Sequence, residues 1–362
     1  RENLPYRVIG GQRFYERIPE PRVVQACQEG LRQAQYGAAA NLEEYLLNRF
    51  GAGICEHFMW PYNRKLWARD LRAISCSWTG ERIAGAKGGD GAVRGPSAVR
   101  GAAHDSQRRP LQADTSVGYP AEGGFERLFV GFAARTPGLT LNAEVVHIDP
   151  RTRQARAADG RVFGWETLVS TMPLPELMRI VAGAPEEIAQ AAARLEAVSL
   201  RIGRLLVGRP LETAVQRVYV ASADVWAHKI ALNHNSSESL RARPCHAITA
   251  EVSLAPGRAP TADEIARNTA ECLHRAGLLQ SPPDVVWCDA VDVRYAYPVE
   301  TAERAATVEA CRAWLAERGI HILGRMAEWA YINSDECVRR GLALAQHLAG
   351  TAGERPAVGT EP

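Results

Sequence analysis

The chain has 362 residues, 46% hydrophobic and 23% charged, which is enough apolar material for one large domain or two. A formal net charge of +2 argues against a nucleic-acid or anionic-membrane partner, and no apolar run approaches the roughly 18 residues of a membrane span. Eight cysteines form no C-x-x-C pair and no zinc-like spacing with histidine, so no metal site is expected and the thiols read as buried in a reducing, cytoplasmic compartment.

Lys65, Lys87 and Lys229 are the only lysines; the arginine and alanine excess reads as GC-rich, bacterial coding. There is no signal peptide, and a chain opening on Arg1 leads us to expect natural sequence ahead of it.

Two β-rich runs around Gly10 and Gly11 predict a hairpin over residues 6–16, closed by Pro19 and Pro21. A helix is expected over 23–35. Asn41 caps the next, with Glu43 and Glu44 in its first turn and Gly51 at its C-terminal end. Residues 85–112 are rich in glycine, arginine and alanine without periodicity, and read as a loop. A turn through Gly123 and Gly124 leads into an amphipathic helix ending near Pro137. Strand patterns follow on both sides of an Asp159-Gly160 turn, and helices over 175–181 and 186–195. Strands are expected over 200–207, 215–221, 230–232, 245–252, 285–297 and 320–323. Helices are expected over 261–276, 302–318 and 334–348. The mixture defines an α/β (α+β) class with a large mixed sheet and no internal repeat.

Three segments carry a family resemblance. The first, FGAGICEHFMWPYNRKLWARDLRAISCSWTGERIA, contains P-Y-N-x-K-x-W and W-x-G-x-R. The second is YPAEGGF, followed by LNAEVVHIDP, an A-D-G-R turn and LVSTMPLPEL. The third is GIHILGRMAEWAYINSDECVRRGLALA, preceded by Tyr297-Pro298. Their order resembles that of FAD-dependent oxidoreductases of the protoporphyrinogen-oxidase, amine-oxidase and UDP-galactopyranose-mutase type, from Tyr6 to Leu348.

The resemblance implies a glutathione-reductase-like FAD-binding fold with a mixed-sheet substrate domain. Residues 1–112 would form a substrate or helical domain, 113–182 part of the FAD domain, 183–300 the substrate sheet, 301–350 the C-terminal FAD segment and 351–362 a tail. It places Gly123, Gly124, Val145, Val146, Thr171, Gly324, Arg325, Asn333, Ser334 and Asp335 at the cofactor. A helix N-terminus at 333–335 would present N–H groups and a positive dipole to the anionic edge of reduced flavin. Ser334 and Asp335 serve equally well as plain N-caps. Val145, Val146 and Thr171 have a purely structural strand or turn reading beside the functional one. Asn63, Lys65, Trp67, Arg82, Tyr297, Trp329 and Tyr331 would face substrate, although an aromatic at such positions is as readily core.

Relatives open with a strand, G-x-G-x-x-G and a helix that seats the FAD diphosphate. These 362 residues hold no such motif. The βαβ unit is therefore expected from a missing N-terminal segment or a partner, unless FAD has been lost. The expected function is a flavin-dependent oxidoreductase acting on a small organic molecule, with catalytic residues unassigned. The alternatives are a mutase-like sugar-nucleotide isomerase and a non-catalytic relative.

Overall fold

The computed structural model describes residues 20–35, 37–76, 78–79, 119–255, 257, 259–279 and 285–353. The expected hairpin at 6–16, the loop at 85–112 and Arg82 lie outside them. Two compact units form, one from Arg1–Leu139 with Val198–Ala296, the other from Thr140–Ala197 with Tyr297–Pro362. Both are discontinuous, with limits at 139, 197 and 296.

The first unit opens with α1 (Pro21–Gln33). The helix starts earlier than the expected residue 23 because Pro21 occupies the first turn, where a missing N–H costs nothing. Helix α2 (Leu42–Ile54) is capped by Asn41, whose side chain accepts the Glu44 N–H at 3.0 Å. Gly51 kinks this helix at φ 71° instead of ending it. The reason is a backbone-to-backbone crossing. A Cβ on Gly51 would lie 2.0 Å from the Gly30 carbonyl oxygen, and one on Gly53 2.2 Å from that of Ala26. The chain continues through a π-helical turn, Cys55–Met59, into α3 (Trp60–Trp67). Helix α4 (Glu126–Ala133) follows the Gly123 turn and buries none of its residues, leaving Phe125, Leu128, Phe129, Val130 and Phe132 exposed.

The five-stranded sheet of this unit has the order β6-β7-β8-β5-β9. Its strands are β5 (Ala197–Val207), β6 (Arg217–Tyr219), β7 (Lys229–Leu232), β8 (His246–Ser253) and β9 (Val285–Pro298). The β6–β7, β7–β8 and β8–β5 pairs are antiparallel. Alternate residues of β8 are buried, as expected for a sheet with one face on a core. Beyond the short helix α7 (Glu238–Arg241), α8 (Ala262–Arg275) covers that core with Ile265 and Leu273 against Leu205, Ile230 and Ile248. Thr261 and Glu264 close a capping box at its start.

The second unit begins with an antiparallel meander of β1 (Val145–Asp149), β2 (Gln154–Ala157) and β3 (Val162–Gly164). Then come β4 (Leu168–Ser170), α5 (Leu174–Ile180) and α6 (Glu186–Ala193). After the excursion through the other unit, α9 (Arg304–Ala316) leads to β10 (Ile320–Ile322), which pairs with β4 in parallel. Helix α10 (Ser334–Gly353) closes the unit. Parallel pairing thus resides at β4–β10 and antiparallel pairing in the meander and the large sheet. Among the described residues no helix is long and apolar enough to cross a membrane.

Candidate functional site

In the second unit the carboxyl ends of two parallel strands come side by side. The Leu168 N–H donates to the Gly319 carbonyl and the Leu323 N–H to the Ser170 carbonyl, both at 3.0 Å. The chain leaves β4 through Thr171 and Met172, and the Leu174 N–H donates to the Met326 carbonyl at 3.0 Å. The loop after β4 is thereby pinned to the loop after β10. In α/β folds the space outside such strand ends is where ligands sit. A cavity of about 200 Å³ beside β4 is lined by Val145, Ile148, Val169, Ser170, Thr171 and Met172. Val146 is the extra residue of a β-bulge, because the β1–β2 register shifts between Val145 and His147.

The loop after β10 is a single tight turn. Gly324 has φ 88°, a conformation that a residue with a Cβ adopts only under strain. Its carbonyl accepts the Glu328 N–H at 2.9 Å, and its own N–H donates to Glu328 Oε2 at 2.8 Å. Trp329 follows in the left-handed region at φ 45°. It is fully buried, donates from Nε1 to the Glu196 carbonyl at 3.2 Å, and accepts Arg304 Nε on its own carbonyl at 2.7 Å. Beside Arg304, burial pushes the Glu300 carboxyl up, and burial likewise lowers Arg304.

This turn carries Arg325 between two aromatic rings. The guanidinium carbon lies 5.0 Å from the Tyr297 ring centre and 4.6 Å from that of Tyr331. The two rings meet edge to face at 5.5 Å. Arg325 Nε and Nη2 are buried and have no hydrogen-bond partner among the described residues. Buried donors are almost always satisfied, so these two N–H groups of one guanidinium are available to a further acceptor. Asn333, Ser334 and Asp335 are exposed at the start of α10, where the Cys337 N–H donates to the Asn333 carbonyl. Glu336 in that first turn is held by Arg339 and Arg340.

The structure therefore gathers Val145, Val146, Thr171, Gly324, Arg325, Tyr297, Tyr331 and residues 333–335 in one unit. Trp329 shares the turn but is an anchor of the core. Asn63, Lys65, Trp67, Gly123 and Gly124 belong to the other unit. There Asn63 donates to the Met59 carbonyl at 2.8 Å, and Trp67 is buried edge-on to Trp78. The Lys65 ammonium donates to the carbonyls of Ser222 and Ala227, and burial lowers it to about 8. Gly123 is tied to Ser239 and Ser237. The donors of Asn63 and Lys65 thus go to backbone carbonyls inside the fold.

Sequence reasoning missed Glu328 and Arg340, whose side chains meet at 3.0 Å. Glycine followed four residues later by glutamate is too common to single out without the turn it closes. It also missed a buried pair of rings, His234 on His246, stacked 4.0 Å apart.

No protein-family profile matches the chain. Among solved structures, reduced UDP-galactopyranose mutase superposes with a TM-score of 0.77 at 19% identity, covering 92% of this chain and 73% of that one. A putative protoporphyrinogen oxidase from Exiguobacterium sp. 255-15 superposes with a TM-score of 0.62 at 13% identity, covering 92% and 74%. At these identities the likeness is one of fold. The chain thus shares the mixed helix-and-sheet fold of these two structures, the fold class that the sequence resemblance implied.

Proposed function

We propose that this chain is the greater part of a flavin-dependent enzyme acting on a small anionic organic substrate, with Arg325 as the anion contact. The observation that carries the reading is the pair of unspent Arg325 N–H groups between Tyr297 and Tyr331. A planar guanidinium backed by two rings is preset for a carboxylate or phosphate, whose two oxygens match its fork.

The residues fit one part of FAD. Arg325 and the first turn of α10 would offer donors and a positive helix end to the electron-rich edge of the ring system. Val145, Val146 and Thr171 would face its adenosine and diphosphate. Bound flavin supplies the hydride transfer. This chain orients the substrate, through Arg325 and its flanking tyrosines, and compensates its charge. For the diphosphate itself the 362 residues provide no glycine-rich strand-to-helix turn. That unit is assigned to further polypeptide, in the same molecule or a partner.

A second reading, a sugar-nucleotide isomerase, is favoured by the same Arg325 cluster, because a nucleotide diphosphate is the kind of anion a fork of this type holds. Flavin-loaded protein decides between the two. Bleaching of flavin by substrate with net oxidation supports the oxidoreductase; interconversion of UDP-galactose ring forms by reduced protein, with no net redox change, supports the isomerase. In either case Arg325→Ala should lower turnover or binding at least about tenfold, or ~1.4 kcal/mol. Unchanged turnover removes Arg325 from the site.

A further inference from the structure

Arg325 has no hydrogen bond through Nε or Nη2, so its direction depends on the two flanking rings and on the backbone that carries it. That backbone is closed by Glu328, in a reciprocal pair of bonds with Gly324 resembling a helix capping box. The carboxylate does not stop there. Its second oxygen, Oε1, accepts Arg340 Nη1 of α10 at 3.0 Å and lies 3.8 Å from Arg312 Nη2 of α9. The side chain is only 9% exposed. One carboxylate therefore ties the turn bearing Arg325 to the helix whose N-terminus lies at Asn333–Asp335.

We propose that Glu328 is the positioning residue of this anion site, holding the Arg325 turn and α10 in one fixed relation through Gly324 and Arg340. The inference rests on the reading of Arg325 as the anion contact. Glu328 touches no ligand in this scheme. Its negative charge opposes an anion one turn away, and by Coulomb's law alone its removal would tighten anion binding. Positioning has the opposite sign. Without the brace, the turn that carries Arg325 is no longer held to α10, and each bond to the anion must then be formed at an ordering cost.

Calorimetric titration of the full chain with inorganic pyrophosphate separates the two effects. Glu328→Gln keeps an oxygen for the Gly324 N–H but loses the charge-assisted link to Arg340. Glu328→Asp keeps the charge and shortens the reach. Both should weaken pyrophosphate by at least about fivefold with unchanged stoichiometry of the folded protein. Arg325→Ala, as the control, should abolish binding. Equal or tighter binding in Glu328→Gln, with binding lost in Arg325→Ala, overturns the positioning role. If Glu328→Gln does not fold, unchanged affinity in Glu328→Asp overturns it equally. Undiminished binding in Arg325→Ala instead refutes the anion-site reading, and this inference falls with it.

Discussion

The guanidinium carbon of Arg325 stands 4.6 Å from the centre of the Tyr331 ring, yet Nε and Nη2 of the same group have no acceptor among the described residues. The cation is thus partly desolvated and lies against two ring faces. Such a group contributes little to folding, because desolvation offsets the ring contacts. Arg325→Met should leave the urea midpoint unchanged or raise it, since methionine fills the space without buried polar atoms. A loss of more than about 2 kcal/mol would show that the arginine is a structural tie instead. Arg325→Lys should rescue substrate binding poorly, because a point charge lacks the fork.

Gly53 gives a test in which two rules disagree on sign. Helix propensity alone predicts that Gly53→Ala in α2 stabilises by about 1 kcal/mol. The structure puts the new Cβ 2.2 Å from the Ala26 carbonyl oxygen, at the crossing of two helix backbones that cannot yield cheaply. We expect Gly53→Ala to lower the urea-derived stability by about 2 kcal/mol or more. A stabilised variant would mean that the two helices do not cross at this distance.

Acid should destabilise the first unit, and its histidines set the window. His234 is buried against His246, and burial lowers it from the usual 6.5 to about 4. Burial also lowers His228, while His228 and Lys229 beside Glu251 hold that carboxyl well below its usual range. For each group the folded form binds protons less readily than the unfolded chain. Stability is therefore full above the unfolded pKa, near 6.5 for the histidines and 4.5 for Glu251, and falls as pH drops toward the folded values. His234 alone accounts for about 2 kcal/mol of loss at about pH 5. His234→Phe keeps a ring on His246 and removes the titrating nitrogens. Urea unfolding of this variant at about pH 7.5 and about pH 5 should show a smaller drop than wild type. An equal drop would assign the acid sensitivity elsewhere.

The limits of reading such a chain from its residues show at particular places. Asn41, Thr261 and the Asp159-Gly160 turn announced themselves because capping and turn chemistry are local, and each sits where expected. Order and spacing of three weak motifs were enough for the fold. What stayed hidden is set by distance in sequence. Gly30 meets Gly51 only because two helices cross, and Lys65 meets carbonyls of Ser222 and Ala227 more than 150 positions on. A lysine in a motif reads as a charge for a ligand until the chain returns to claim it. Arg325 stood out in its glycine-arginine pair, whereas the contacts of Glu328 with Gly324 and Arg340 depend on a positive-φ turn and an arginine twelve residues away.

On the proposed function, these residues complete a flavin site whose diphosphate cradle comes from further polypeptide. Titration with FAD, followed by flavin fluorescence, tests it on two proteins: the 362-residue chain, and the same chain carrying a strand–glycine-turn–helix–strand unit ahead of Arg1. We expect weak binding to the first and about one tightly held FAD per chain in the second, reduced by Arg325→Ala. An extended chain that folds but takes up no FAD would contradict it.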